Sequence, residues 1–171
     1  RNKILKIEKI TITMGGSDFY NMSLLILKQI KRYNLDKSYK FILIIGKNNR
    51  NRNILSKYIK KNNLIIQLYI DPKNISKIFL NTHLAITAGG STLWELFALG
   101  VPAIVYKTAT NQKQIINNLK KNNLIYYAGD RNHVIKNLNK MLLMSNNLKN
   151  ISNKLLNNFD AKGLSRIYEK I

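Results

Sequence analysis

AITAGGSTLWELFALGVPAIVY, residues 85–106, decides the fold. Residues 84–87 (LAIT) form a short apolar run of strand character, and Gly-Gly-Ser follows at 89–91. From 92 to 99, Leu93, Leu96 and Phe97 recur on one helical face until Gly100 stops the helix. Residues 102–106 (PAIVY) then return to strand. Strand, glycine turn, helix and strand in that order make one crossover unit, which implies two parallel strands joined by a right-handed connection.

The same grammar extends in both directions. Residues 10–14 (ITITM) alternate like a strand and run into Gly15-Gly16-Ser17, after which Met22, Leu25, Ile26, Gln29 and Ile30 fall at helical spacing. Residues 41–45 (FILII) are a continuous apolar run closed by Gly46, the pattern of a strand covered on both faces. A helix over 53–61, a strand over 64–70 and a short helix over 74–80 follow. Downstream, 111–121 reads as helix, 124–127 as a sixth short strand, and 133–159 as helix with a break around 145–147. Strand and helix alternate throughout, so the expectation is an α/β fold, a doubly wound parallel sheet of Rossmann-like type. KKNNLI occurs at 60–65 and again at 120–125, each time as a helix ending on Asn before a strand, not as a structural repeat.

With 171 residues and 45% hydrophobic content, residues 1–171 suffice for one core and one domain. No apolar run reaches the eighteen or so residues that span a bilayer, and Arg1-Asn2-Lys3 lacks the apolar centre of a signal peptide, so a soluble, cytoplasmic protein is expected. The absence of Cys removes disulfides and thiolate chemistry. The chain begins without Met, and if it is part of a longer protein the function belongs to that whole. A net charge of +21 invites a nucleic-acid reading, but Lys and Asn are spread through every segment and no aromatics interleave with a basic stripe. Solvated faces are the simpler account: no nucleic-acid partner is expected, while weak attraction to anionic surfaces or phosphorylated ligands stays open.

Ligands of open parallel sheets bind beyond the carboxyl ends of the strands, where both Gly-Gly-Ser loops belong. Gly16 and Ser17 in the first loop, with Gly89, Gly90, Ser91 and Thr92 in the second, offer close backbone approach, N–H donors and hydroxyls to an anion. Neither loop carries G-K-[ST] or G-x-G-x-x-G, so a P-loop nucleotide and NAD are both disfavoured. Thr92-x-x-Glu95 fits a capping box, and Glu95 equally fits a carboxylate accepting from ribose hydroxyls. No catalytic group stands out: Asp18, Asp130 and the other acids form no paired motif, and His83 and His133 lack metal-ligand spacing and read as strand-edge or surface residues. No cofactor and no metal site is expected.

Residues 85–112, together with 11–30, 69–79 and a tail DAKGLSRI at 160–167, resemble the carboxy-terminal domain of the UDP-sugar hydrolases of pseudaminic acid biosynthesis. Those enzymes release UDP from a UDP-diacetamido-trideoxy-hexose and are similar in fold to the lipid II-forming N-acetylglucosaminyltransferase and other GT-B enzymes of family 28. The resemblance implies that the two Gly-Gly-Ser loops hold the diphosphate, Glu95 the ribose, the backbone at 70–75 the uracil, and Asn111 with Gln112 the sugar end. It implies that the catalytic histidine lies in an amino-terminal domain with no counterpart in this chain. The expected function is therefore the UDP-binding half of a nucleotide-sugar hydrolase. The alternatives are the donor-binding domain of a GT-B glycosyltransferase, and a non-catalytic nucleotide or nucleic-acid binding module. Oligomeric state is not legible.

Overall fold

The structure, a computed structural model, describes residues 7–143, 147–160 and 162. Six strands, β1 (Lys9–Thr13), β2 (Lys40–Ile45), β3 (Ile66–Ile70), β4 (Leu84–Ala88), β5 (Ala103–Lys107) and β6 (Tyr126–Asp130), form one sheet in the order β3-β2-β1-β4-β5-β6. Every pairing is parallel. The helices are α1 (Met22–Arg32), α2 (Arg52–Lys61), α3 (Ile75–Leu80), α4 (Thr92–Ala98), α5 (Lys113–Lys121), α6 (Arg131–Leu143) and α7 (Leu148–Asn158). The doubly wound α/β expectation is borne out.

Strand alternation divides the core into two layers. Ile10, Ile12, Leu43, Ile86 and Ile104 face α1, α2 and α6, where Ile26, Ile30, Leu55 and Leu138 meet them. Ala85, Ala103 and Val105 point to the other side, against Phe79 of α3, Leu93 and Phe97 of α4, Ile116 of α5 and Leu155 of α7. Buried on both faces, β2 and β5 are near-continuous apolar runs, while the central β1 alternates Ile10 and Ile12 with the buried Thr11 and Thr13.

Two strands begin later than the apolar runs suggest, both for the same reason. After α2 and α5, Asn63 and Asn123 turn into the left-handed region (φ 50° and 53°). The next N–H, of Leu64 or Leu124, then closes back on Ile59 O at 3.1 Å or Leu119 O at 3.0 Å. Each KKNNLI therefore ends in a Schellman-type cap, and its leucine serves the helix end rather than the strand. Consequently β3 starts at Ile66 and β6 at Tyr126 instead of 64 and 124. The helix expected from 111 opens as a 3-10 turn, Thr110–Gln112, before α5. The segment expected as one broken helix over 133–159 is α6 and α7; residues 144–146, part of the expected break, and most of the 160–167 tail lie outside the described residues. Among the described residues no helix is long and apolar enough to cross a membrane.

Candidate functional site

The chain winds outward from β1 through β2 to β3, then returns to place β4 on the other side of β1. Crossovers on either side of the β1–β4 pair thus run in opposite directions, opening a crevice at the carboxyl ends of these two strands. Thr13 pairs with Thr87 in register, so the two Gly-Gly-Ser loops leave the sheet side by side. The structure brings together what the sequence separates by more than seventy residues.

In the first loop, Gly15 adopts φ +81°, a conformation open to glycine at no steric cost. Gly16 and Ser17 are exposed, and nothing lies within 4 Å of where a Cβ on Gly16 would stand. Beneath them sits Gly46 at the end of β2, where a Cβ would be 2.6 Å from Gly16 O and 2.7 Å from its Cα. Gly46 is what lets the loop backbone lie across the sheet edge.

Ser17 does not cap α1. That role belongs to Asp18, 5% exposed, whose Oδ1 accepts from Met22 N at 2.8 Å and whose Oδ2 accepts from Ser23 N at 2.9 Å. Burial pushes the Asp18 carboxyl above its ordinary value, against the opposing pull of hydrogen bonds from Ser23 and Met22. These α1 amides are therefore occupied, and an anion here would meet the loop N–H groups rather than a free helix terminus. Among the described residues, the N–H groups of Gly16, Ser17, Gly90 and Ser91 have no protein acceptor.

In the second loop, Gly89 is buried, and a Cβ there would stand 2.9 Å from Ile116 Cδ1, so its smallness seats α5 against the strand end. Gly90 faces open space, and Ser91 is exposed. The capping box is not formed: Ser91 holds the cap position with helical φ −59° and ψ −36° and makes no side-chain bond, and Thr92 is the first helical residue. Glu95 is exposed, one turn along α4, with no hydrogen-bond partner among the described residues.

After β5, Gln112 is already engaged. Its amide oxygen accepts from the backbone N–H of Thr108 at 2.9 Å and of Ala109 at 3.3 Å, while its amide nitrogen donates to Thr108 Oγ1 at 3.1 Å. Asn111 beside it is exposed. After β3, Asp71 turns at φ 49° with its N–H on Ile45 O at 2.9 Å, and Asn74 caps α3 by accepting from Lys77 N at 3.2 Å. Residues 70–75 thus share the edge with the glycine loops.

A cavity of about 260 Å³ lies between the first loop and the β5 loop, bounded by Met14, Ser17, Asp18, Tyr20, Thr108 and Ala109. The 910 Å³ hollow at the amino-terminal ends of β2 and β3, flanked by Lys9, Lys40 and Lys77, is larger but contains none of these loops. His83 accepts from Glu8 N at 3.1 Å near that same end, consistent with a strand-edge role. Among the described residues no three His, Asp or Glu side chains converge as a metal site would require.

Asp18 and Gly46 are the positions that residue patterns alone did not single out. Asp18 has a recoverable signal, an Asp placed just ahead of the first apolar helical residues. Gly46 has none, because its reason is a contact with a residue thirty positions away.

Residues 9–167 match the glycosyltransferase family 28 C-terminal domain. The chain belongs to that family. The family 28 domain is 34% identical over 119 residues to the Helicobacter pylori UDP-N-acetylglucosamine–N-acetylmuramyl-(pentapeptide) pyrophosphoryl-undecaprenol N-acetylglucosamine transferase, a match covering 62% of this chain and 34% of that protein. It is 28% identical over 109 residues to an uncharacterized protein of Methanocaldococcus jannaschii, 61% of this chain and 22% of that protein. The match thus spans about a third or less of these curated relatives. Among solved structures, Acinetobacter baumannii MurG superposes with a TM-score of 0.63 at 13% identity, covering 97% of this chain and 50% of that one. The Neisseria meningitidis UDP-GlcNAc 2-epimerase bound to UDP-GlcNAc gives 0.62 at 15% identity, over 98% of this chain and 46% of that one. At such identities these likenesses speak for the fold of the family 28 domain.

Proposed function

We propose that this family 28 domain is the donor-binding half of a glycosyltransferase that uses a UDP-sugar. The observation that carries the proposal is the pair of Gly-Gly-Ser loops side by side at the β1–β4 crevice, with four N–H groups that have no acceptor among the described residues. A diphosphate supplies the acceptors that these donors lack. Glu95, exposed and without a partner among the described residues, would accept from ribose hydroxyls, and the backbone at 70–75 would receive the base. Family membership and the Helicobacter pylori relative's named activity support a transferase. In the reaction, an acceptor oxygen bonds to the anomeric carbon as the bond from that carbon to the diphosphate breaks. The electron pair leaves with UDP, whose charge the loop N–H groups stabilise, and the acceptor's proton passes to a base outside this domain.

A second reading, hydrolysis of a UDP-sugar with water as acceptor, is favoured by the resemblance of residues 85–112 to the pseudaminic acid pathway hydrolases. Calorimetric titration tests what both share. UDP should bind at least about tenfold more tightly than uridine, and its advantage should shrink with salt as the charges on the +21 chain are screened. Equal affinity for the two would refute the diphosphate site. With the complete protein, UDP release that needs no acceptor would favour hydrolysis over transfer.

A further inference from the structure

β3 lies at one edge of the sheet, with a neighbouring strand on one side only. Successive backbone groups of a strand point to opposite sides. The N–H groups of Ile65 and Asp71 point inward, to Asp36 Oδ2 at 3.0 Å and Ile45 O at 2.9 Å, so those of Ile66, Leu68 and Ile70 point away from β2. Ile66 N turns back on Leu64 O at 3.0 Å. The Leu68 N–H and C=O and the Ile70 N–H are left facing out, with no strand beyond them among the described residues. Sheet edges are commonly blunted by a charge, a proline or a bulge. The opposite edge is: a bulge between Val105 and Lys107 sets Lys107 against Asp130, and β6 itself carries Gly129 and Asp130. β3 is not. Its register with β2 is unbroken, residues 64–70 (LIIQLYI) contain no charge, glycine or proline, and Ile65 and Ile70 stand 67% and 48% exposed.

The two faces of this edge differ in chemistry. On the α2 side, Ile66 and Leu68 are half-buried against the core. On the other, Gln67 and Tyr69 line the 910 Å³ hollow together with Lys9, Lys40 and Lys77, and no Asp or Glu is among its lining residues. A strand added beyond β3 would present its side chains alternately to these two faces. Those beside Ile66 and Leu68 gain by being apolar. Those over the hollow meet three ammonium groups and no carboxylate, so acidic side chains complement them. A second copy of this chain, itself +21, would bring like charge to like.

We infer that β3 is a docking edge for an extended acidic segment of another protein, one that alternates apolar residues with carboxylates, continues the sheet through Leu68 and Ile70, and sets its acids over Lys9, Lys40 and Lys77. The hollow opens at the strand ends opposite the glycine loops, so the inference stands apart from the UDP-sugar reading. Fluorescence anisotropy with a labelled peptide of alternating Val and Glu provides the test. One control peptide alternates Val and Lys, and another keeps the acidic charge but carries a central Pro that cannot join a ladder. The Val–Glu peptide should bind the native chain at least about tenfold more tightly than either. Leu68→Pro, which removes a donor the fold does not use, should bring it down to the level of the Pro-containing control. Lys40→Gln combined with Lys77→Gln, both at exposed positions, should weaken it about three- to tenfold. Melting curves check each variant, and if Leu68→Pro does not fold the double variant decides. The inference is overturned if the Val–Glu peptide binds no more tightly than either control, or if a folded variant of either kind keeps native affinity. Sedimentation of the chain alone supplies the last outcome: a dimer that Leu68→Pro dissociates would give the edge to a second copy and overturn the acidic partner.

Discussion

Replacing Gly46 by alanine isolates the contact that sets the height of the first glycine loop. The added Cβ would be 2.6 Å from Gly16 O and 2.7 Å from Gly16 Cα, both backbone atoms with no rotamer to swing away. Ordinary contact begins near 3.4 Å, so the loop has to retreat by about 0.8 Å or the end of β2 has to yield by as much. Overpacking of this kind costs about 1–3 kcal/mol, which for a domain of this size lowers the melting temperature by about 2–12 °C. The effect on binding is sharper. An N–H···O bond of about 2.9 Å lengthened by such a shift no longer qualifies as one, and losing a single charge-assisted bond to phosphate is worth about 1.5–3 kcal/mol, or about tenfold to a hundredfold in UDP affinity. Thermal unfolding and calorimetric titration on the same preparation separate the two effects. Gly16→Ala, where nothing lies within 4 Å, serves as the control and should keep its stability within about 0.5 kcal/mol. A Gly46→Ala protein with native melting temperature and native UDP affinity would refute the role given to this contact. Lost stability with unchanged affinity would leave the packing intact as an explanation and remove the link to the ligand.

Asp18→Asn should destabilise the domain by about 1–3 kcal/mol, because one carboxylate oxygen that accepts an α1 N–H becomes an NH2 facing a donor. The pH dependence carries a sign as well. The folded state holds the Asp18 proton more tightly than the unfolded chain, so its contribution is most favourable at low pH and is lost as pH rises from about 3.8 through the raised folded value. Urea midpoints measured across that range should lose this component in Asp18→Asn; identical pH profiles would count against the buried carboxylate. Glu95→Gln should leave the melting temperature unchanged, since Glu95 has no internal partner among the described residues, yet weaken UDP by about 1.5–3 kcal/mol if it accepts from ribose. Unaltered affinity in the titration would remove Glu95 from the site.

The order of elements was legible because it rests on local physics. Apolar runs too short for helices, glycine stops and helical spacing of leucines mark each crossover unit without reference to anything distant, as at 84–106. The two late strand starts were not, because Leu64 and Leu124 are apolar and β-compatible, and only the Schellman closures on Ile59 and Leu119 show that the helices keep them. The glycine loops were visible as a pair in the sequence, and their adjacency followed from the strand order. Their donor inventory did not: a sequence cannot tell that Asp18 occupies the α1 amides or that Gln112 turns inward on Thr108.

By itself, then, the sequence determined the fold class, the number of crossover units and the edge of the sheet on which glycine, serine and a lone glutamate gather, since periodicity and turn chemistry act within a few residues. Tertiary structure decided which strands are neighbours, that Gly46 must be small because Gly16 crosses it, and that a bulge joins Lys107 to Asp130 at the rim. Those outcomes depend on distances between residues far apart in the chain. Such distances exist only after the sheet has closed its register.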